Sequence, residues 1–349
     1  MMQHRINRRQ WLDITAAGTF AALVGGCASS GPQLKVFNWS DYIAPDLVAE
    51  FEQKSGARVV YDNYASDAEL ETKLITGGGS YDVIFPSDRT MAAFVAKGLL
   101  AEIDKTRLSN LTHIDAKFLT PPFDPTNRYS VPYFWGTLAV GIRTDHISDP
   151  IKGFEPLFDE RYKGKITMLD DAENVVAAML VHLGLPLNST EDAHLAKVKE
   201  LLVRQRGLVG AYTSDSYKEK LISGEAWVSL GWSGDLRQAT DENSQVRTVV
   251  PESGTLIWLD NMAIPRGATN LPLAHDFINF LLDPAVAARN AAHVHFATPN
   301  RTALGQLPAE LKADPAIYPP ANVLARCEWL QHRGAAVVKI EQLWREVRQ

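Results

Sequence analysis

From Leu34 onward, short apolar runs alternate with segments whose apolar residues recur every three or four positions, the respective signatures of strand and helix. Leu34–Trp39 predicts a strand and Pro45–Ser55 a helix, with Leu47, Val48 and Phe51 on one face and Gly56 as its stop. Arg58–Tyr61 predicts a second strand, Asp67–Thr76 a helix ended by Gly77-Gly78-Gly79, Tyr81–Phe85 a third strand, and Met91–Lys97 a helix closed by Gly98. Such β-α-β-α-β-α order folds as a parallel sheet covered by helices. Ligands of these sheets bind beyond the carboxyl ends of the strands. There the chain carries Asn38-Trp39-Ser40-Asp41-Tyr42 and Pro86-Ser87-Asp88-Arg89.

Tyr129–Arg143 is long and extended, with Gly136 near its middle, and suits a strand that crosses from one lobe to another. A second α/β set follows: strand Ile166–Leu169, helices Val175–Leu183, Ala193–Arg204 and Tyr217–Ser223, and strand Ala226–Trp232. Thr248–Pro251 and Thr255–Ile264 predict further strands, the latter a return crossing; Pro272–Leu282, Pro284–His293 and Gly334–Val347 predict helices. The expected organisation is therefore two lobes, 34–137 plus 262–303 and 138–261 plus 304–349, each a mainly parallel sheet flanked by helices. Two extended hinge crossings join them.

A length of 349 residues agrees with two lobes at about 150 residues per domain. The net charge of −6, without a basic block, argues against nucleic acid as a partner. The first 26 residues form an export signal: Arg5, Arg8 and Arg9 precede a short, mostly apolar run from Ile14 to Gly26. Asn7-Arg8-Arg9-Gln10-Trp11-Leu12 resembles a twin-arginine motif, with Asn7 and Trp11 departing from its preferred types, so the twin-arginine and general secretory routes both stay open. Leu23-Val24-Gly25-Gly26-Cys27 resembles the bacterial lipobox, in which the cysteine is acylated, with palmitate among its chains, and becomes the mature N-terminus. More than one acyl chain holds a domain firmly at a bilayer. Residues 27–33 are small and polar, a lipidated tether.

The common catalytic and nucleotide-binding motifs, G-x-G-x-x-G, G-x-x-x-x-G-K-[ST], G-x-S-x-G and H-E-x-x-H, do not occur. Cys327 reads as a packed residue, His293 and His295 lack a nearby carboxylate for a metal, and Asp170 and Asp171 point apart at a strand end. Neither an enzyme nor a cofactor is expected. What stands out is a repeated pairing of tryptophan with an acid at strand ends: Trp39 with Asp41, Trp232 with Asp235, Trp258 with Asp260. An ammonium needs carboxylates to offset its desolvation and aromatic faces around its charge and methylenes.

Val36-Phe37-Asn38-Trp39-Ser40-Asp41-Tyr42-Ile43-Ala44-Pro45 resembles the opening of the spermidine/putrescine-binding proteins, the periplasmic receptors of polyamine ABC importers. The resemblance continues in order through Tyr81–Ser87, Tyr129–Gly136, Asp170-Asp171-Ala172, Trp232–Asp235, Trp258–Asp260 and Thr298–Asn300. It implies a two-lobed α/β periplasmic solute-binding fold, type II-like, that closes on an extended polyamine and hands it to a permease. Trp39, Tyr42, Trp232 and Trp258 match its aromatic walls, Asp235 and Asp260 match acids that hold an amine, and Asp171 matches an acid toward the far end. Ser40, Ser87 and Ser214 match ligand-bonding hydroxyls, although Ser214 also suits a turn before the next helix. Three departures stand out: Asn174 where spermidine binders carry a second acid, Arg89 where some members carry an aromatic, and Phe296 in place of a pocket tyrosine. One acid fewer and one cation more disfavour a third ammonium, so the expected ligand is a putrescine-like diamine, or a solute with both an amine and an anionic group. The expected receptor is a monomeric lipoprotein anchored through Cys27 on the outer side of a bacterial membrane. The other readings are an amino-acid-like ligand in the same fold, and a lipoprotein that signals to a membrane partner.

Overall fold

The computed structural model describes residues 31–76, 80–331 and 333–349. The export signal, Cys27 and the glycine run 77–79 lie outside them. At the end of the expected tether, Pro32 accepts a backbone hydrogen bond from Arg58 and Gln33 opens the first strand. Residues 32–349 form one compact unit.

The strands are β1 (Gln33–Trp39), β2 (Arg58–Tyr64), β3 (Val83–Ile84), β4 (Val131–Arg143), β5 (Ile166–Met168), β6 (Val209–Tyr212), β7 (Val228–Trp232), β8 (Val246–Val249), β9 (Leu256–Met262) and β10 (Glu328–Trp329). The first three make a parallel sheet in the order β2-β1-β3. Alternation along β1 sends Leu34 and Val36 into one apolar core and Phe37 into another, so the sheet is covered on both faces. The intervening helices carry the expected punctuation. Pro45–Ser55 ends at Gly56 with φ 67°, and Asp88–Lys97 at Gly98 with φ 63°, a left-handed cap that glycine adopts without a Cβ penalty.

The second sheet runs β10-β9-β4-β7-β5-β6, with β8 also on β4. It is mixed: β5 pairs parallel with β6 and β7, and β9 with β10, while β4 is antiparallel to β7, β8 and β9. Strand β4 is buried along all 13 residues. Its first part, Val131 to Trp135, packs in the core beneath the first sheet; its last part, Leu138 to Ile142, packs with Val175, Leu230 and Leu236 in a second core. Strand β9 returns beside it, with Leu256 in the second core and Ile257, Leu259 and Met262 in the first. These two strands are the expected crossings, and Gly136 pairs with Trp258 where they change cores.

The stretch after residue 304 divides differently from the expectation that assigned it to lobe two. Leu307, Leu311 and Ile317 fill the first core, whereas Leu330, Ile340, Leu343, Trp344 and Val347 fill the second. The chain thus passes between the cores a third time, and β10 extends the β9 edge on the way.

A Cβ at Gly136 would fall 2.4 Å from Cζ2 of Trp258, so the indole lies directly on bare backbone at the crossing. Gly136→Ala should push the indole off β4 and destabilise the protein by about 1–3 kcal/mol, the usual cost of overpacking. Urea unfolding followed by tryptophan emission measures both effects; an unchanged midpoint and spectrum would refute the contact.

Candidate functional site

The turn after β1 is fixed from beneath. Tyr133 donates its hydroxyl to the Tyr42 carbonyl (2.7 Å), and Asn290 both donates to Tyr133 Oη (2.8 Å) and accepts from the Ala44 amide (2.9 Å). Tyr42 is thereby held buried, with its ring edge-on to Tyr133, Phe134 and Phe296 at centroid distances of 5.5, 5.4 and 5.3 Å. Its hydroxyl donates to Asp260 Oδ2 at 2.7 Å. Phe296 meets Trp258 edge-on at 5.2 Å and lies over Gly234, where a Cβ would come within 2.2 Å of the ring. Trp232 and Trp258 touch both cores.

Two walls flank this group. On the first-sheet side, the Trp39 indole N–H donates to the Phe85 carbonyl at 2.8 Å, and Ser87 makes an isolated antiparallel bridge to Asp260. On the other side, Asp235 follows β7 and accepts the Tyr217 hydroxyl at 2.5 Å. The structure therefore brings together Trp39, Tyr42, Ser87, Trp232, Asp235, Trp258, Asp260 and Phe296 around the line where the cores meet.

The remaining expected residues stand differently. Asp171 caps the helix Ala172–His182, accepting the Asn174 amide at 3.0 Å and the Asn174 side-chain amide at 2.8 Å. Arg89 forks onto Asp171, with Nη2 at 2.9 Å, and onto Glu173 Oε1 at 3.1 Å. Asp171 is thus fully engaged by protein groups, and Arg89 pairs rather than standing free. Ser214 accepts the Asp170 amide at 3.0 Å, a bond between the ends of β5 and β6 and not a cap of the helix Tyr217–Ser223. Ser40 is exposed.

Sequence reasoning passed over Asp67, Asp88, Glu173 and Tyr217. Asp67 accepts the Ser87 hydroxyl at 2.7 Å through Oδ2, while its Oδ1 is buried without a partner. Asp88, 7% exposed, accepts the Arg89 amide. The signal for these two was their place at first helical turns facing the same crevice, where a carboxylate also reads as a capping residue.

Burial raises the acids of the site. Asp260, 9% exposed, lies well above the usual carboxylate range: burial and the charges of Asp67 and Asp88 outweigh the Tyr42 hydrogen bond. Burial also raises Asp67 and Asp235, and carries Asp88 to about 7 against the pull of Arg89. Asp171 is the exception. Burial pushes it up, but Arg89 and the Asn174 hydrogen bonds hold it below the ordinary value. Beside Arg89 opens a cavity of about 490 Å³ lined by Asp88, Lys117, Phe118, Leu259 and Trp329 among others.

Two sheets linked by crossing strands, with aromatic and acidic side chains converging where the cores meet, define a binding protein that holds a solute between its halves. The chain belongs to the bacterial extracellular solute-binding proteins: residues 46–319 match that family. It is 34% identical over 344 residues to a putrescine/cadaverine-binding protein of Pseudomonas aeruginosa, covering 94% of this chain and 97% of the relative. To a spermidine/putrescine-binding periplasmic protein of Salmonella typhimurium it is 33% identical over 339 residues, covering 96% and 97%. Its fold matches the crystal structure of the spermidine/putrescine ABC transporter substrate-binding protein PotD of Streptococcus pneumoniae with a TM-score of 0.83 and 31% identity, over 91% of this chain and all (100%) of that one.

An acid with a raised folded-state pKa binds more protons folded than unfolded, so stability falls as pH rises between the two values. For Asp88 that window runs from about 4, the unfolded value, to about 7. The ligand-free protein should lose stability across it, and Asp88→Asn, which keeps an acceptor for the Arg89 amide, should flatten the decline. Thermal unfolding from pH 4 to pH 8 gives the answer; a wild-type profile that rises through this window would contradict the assignment.

Proposed function

We propose that this chain is the substrate receptor of an ABC importer and captures a polyamine between two closing lobes, a putrescine-like diamine in preference to spermidine. One imbalance carries the reading. Asp67, Asp88, Asp235 and Asp260 are raised by burial, while nearby cations are engaged elsewhere: Arg89 with Asp171 and Glu173, and Lys218 with Gln238 at 3.2 Å. Charge buried without compensation is costly, and a diammonium ligand removes the cost at both ends. Asp260 lies on the crossing strand β9 and Asp235 on a helix of the second core; in this reading each takes one amine, and Trp39, Trp232, Trp258 and Tyr42 surround the methylenes. Cation–π contacts worth about 0.5–2 kcal/mol each, added to the ion pairs, suffice for micromolar affinity near −8 kcal/mol. At the Asp171 end a third ammonium meets no free acid, because Asn174 stands where spermidine binders carry one and Asp171 is engaged by Arg89. No chemistry on the ligand enters this function. Closure around it presents a shape that the permease reads.

A second reading rests on Trp258, whose buried indole N–H has no acceptor among the described residues. A ligand carboxylate would satisfy it, as in an ω-amino acid. A thermal-shift and calorimetry panel of putrescine, spermidine and γ-aminobutyrate separates the two. Putrescine should bind most tightly and raise Tm in proportion to the logarithm of its concentration. Asp260→Asn and Asp235→Asn should each weaken putrescine at least tenfold, and wild-type affinity should fall from pH 7 to pH 5 as the raised acids take up protons. Preference for γ-aminobutyrate, or affinity indifferent to both substitutions, would overturn the diamine reading.

The exported receptor is further proposed to be a monomer held at the membrane by acyl chains on Cys27. Cys27→Ser should move it from the membrane to the soluble fraction on cell fractionation. Retention of that variant in the membrane would dismiss the anchor.

A further inference from the structure

We propose that Arg89 is a tethered counterion that occupies the place of a ligand ammonium, so that the chain itself supplies one cation of the crevice and sets the ligand's length. The ligand in this inference is the polyamine of the preceding section; the clasp stands on geometry alone. Arg89 lies in the first turn of Asp88–Lys97, a helix whose Met91 and Phe94 pack beneath the first sheet. Asp171 and Glu173 open the helix Ala172–His182, which packs in the second core. Between them, Nη2 stands 2.9 Å from Asp171 Oδ2, and Nη1 stands 3.5 Å from Asp171 Oδ1 and 3.1 Å from Glu173 Oε1. The side chains of Arg89, Asp171 and Glu173 are 23, 18 and 14% exposed. A planar guanidinium forking onto two acids at one helix start is the strong form of an ion pair, and partial burial spares it much of the screening that weakens surface pairs.

Four acids act on this guanidinium, and the buried Arg333 adds a second positive charge near Asp171 and Glu173 without a hydrogen bond to either. Asp67 and Asp88 come from its own side, Asp171 and Glu173 from the other, and all four act to hold its proton. Without the guanidinium, Asp171 and Glu173 would lose the one cation hydrogen-bonded to them among the described residues and keep only the nearby charge of Arg333, which is bonded to the Leu187 carbonyl, a state that the terminal ammonium of a triamine relieves. There is also space. Arg89 borders the cavity of about 490 Å³, which Leu259 lines, while Trp258 and Asp260, its neighbours on β9, turn to the opposite face by strand alternation. Arg89 and Asp88 thus line an open volume on the side of β9 away from Trp258, and the fork onto Asp171 and Glu173 holds the arginine at its edge. Because its two partners belong to the other core, the same fork also clasps the crevice when no ligand is present.

The test compares wild type, Arg89→Gln, Arg89→Lys and the double variant Arg89→Gln/Asp171→Asn, each as the mature chain. Calorimetry measures putrescine and spermidine, and small-angle scattering measures the ligand-free shape. Arg89→Gln should raise the ratio of spermidine to putrescine affinity at least tenfold. The double variant should lose that gain, and Arg89→Lys, which keeps the charge without the fork, should fall between. Ligand-free Arg89→Gln should have a larger radius of gyration than wild type. An unchanged affinity ratio in a folded Arg89→Gln overturns the length control, and an unchanged radius of gyration overturns the clasp. If wild type binds neither polyamine, the polyamine reading fails, and scattering still decides whether Arg89 holds the crevice shut.

Discussion

Carboxylate charge that the protein buries and leaves without a full set of counterions governs the crevice. An isolated buried carboxylate tends to take up a proton rather than stay charged, and the raised Asp67, Asp88, Asp235 and Asp260 sit in that condition. The hydrogen bonds around them are placed to hold geometry more than to cancel charge. Tyr42 steadies Asp260 and Tyr217 steadies Asp235, each through a neutral hydroxyl. A neutral donor fixes the direction of an acid while leaving its field for a cation that arrives from outside.

Fold and site are coupled through β4 and β9. Their pairing runs through both cores, and it places Trp258 opposite Gly136, Leu259 opposite Trp135 and Asp260 opposite Phe134. Trp258 and Asp260 are consequently neighbours in the crossing ladder, not ornaments on a separate loop. Phe296 then ties this ladder to Gly234 at the start of the helix Ser233–Glu242, which carries Asp235. A binding surface assembled in this way is positioned by the same contacts that stabilise the hinge.

Much of this was legible in the sequence, and for identifiable reasons. The helix Pro45–Ser55 has a proline at its start, a clear apolar face and a glycine in the left-handed region at its end, so local signals alone specify it. The length of β4 and its central glycine announced a crossing. By contrast, β6 reads Val209-Gly210-Ala211-Tyr212, too short and too weakly patterned to separate from a loop, and the passage near β10 depends on which core Leu311 and Leu330 join, a long-range choice. The tryptophan–acid pairs located the crevice because both residue types are chemically conspicuous. Asp67 and Asp88 were concealed because an acid at a helix start looks like an ordinary cap; pairing of Arg89 with Asp171 was open to sequence reasoning, whereas its second partner, Glu173, lies 84 positions away along the chain.

The pairing of Gly136 with Trp258 also has a mechanical meaning. Were one half to rotate against the other about the β4–β9 pair, the indole of Trp258, packed on Gly136, would travel little, while Asp235, carried on a helix of the second core, would sweep through a wider arc. One side of the binding surface thus acts as an anvil, already set when a solute arrives, and the other as a jaw. In such a device the solute would meet the indole on the crossing first, and the moving acid would complete the grip.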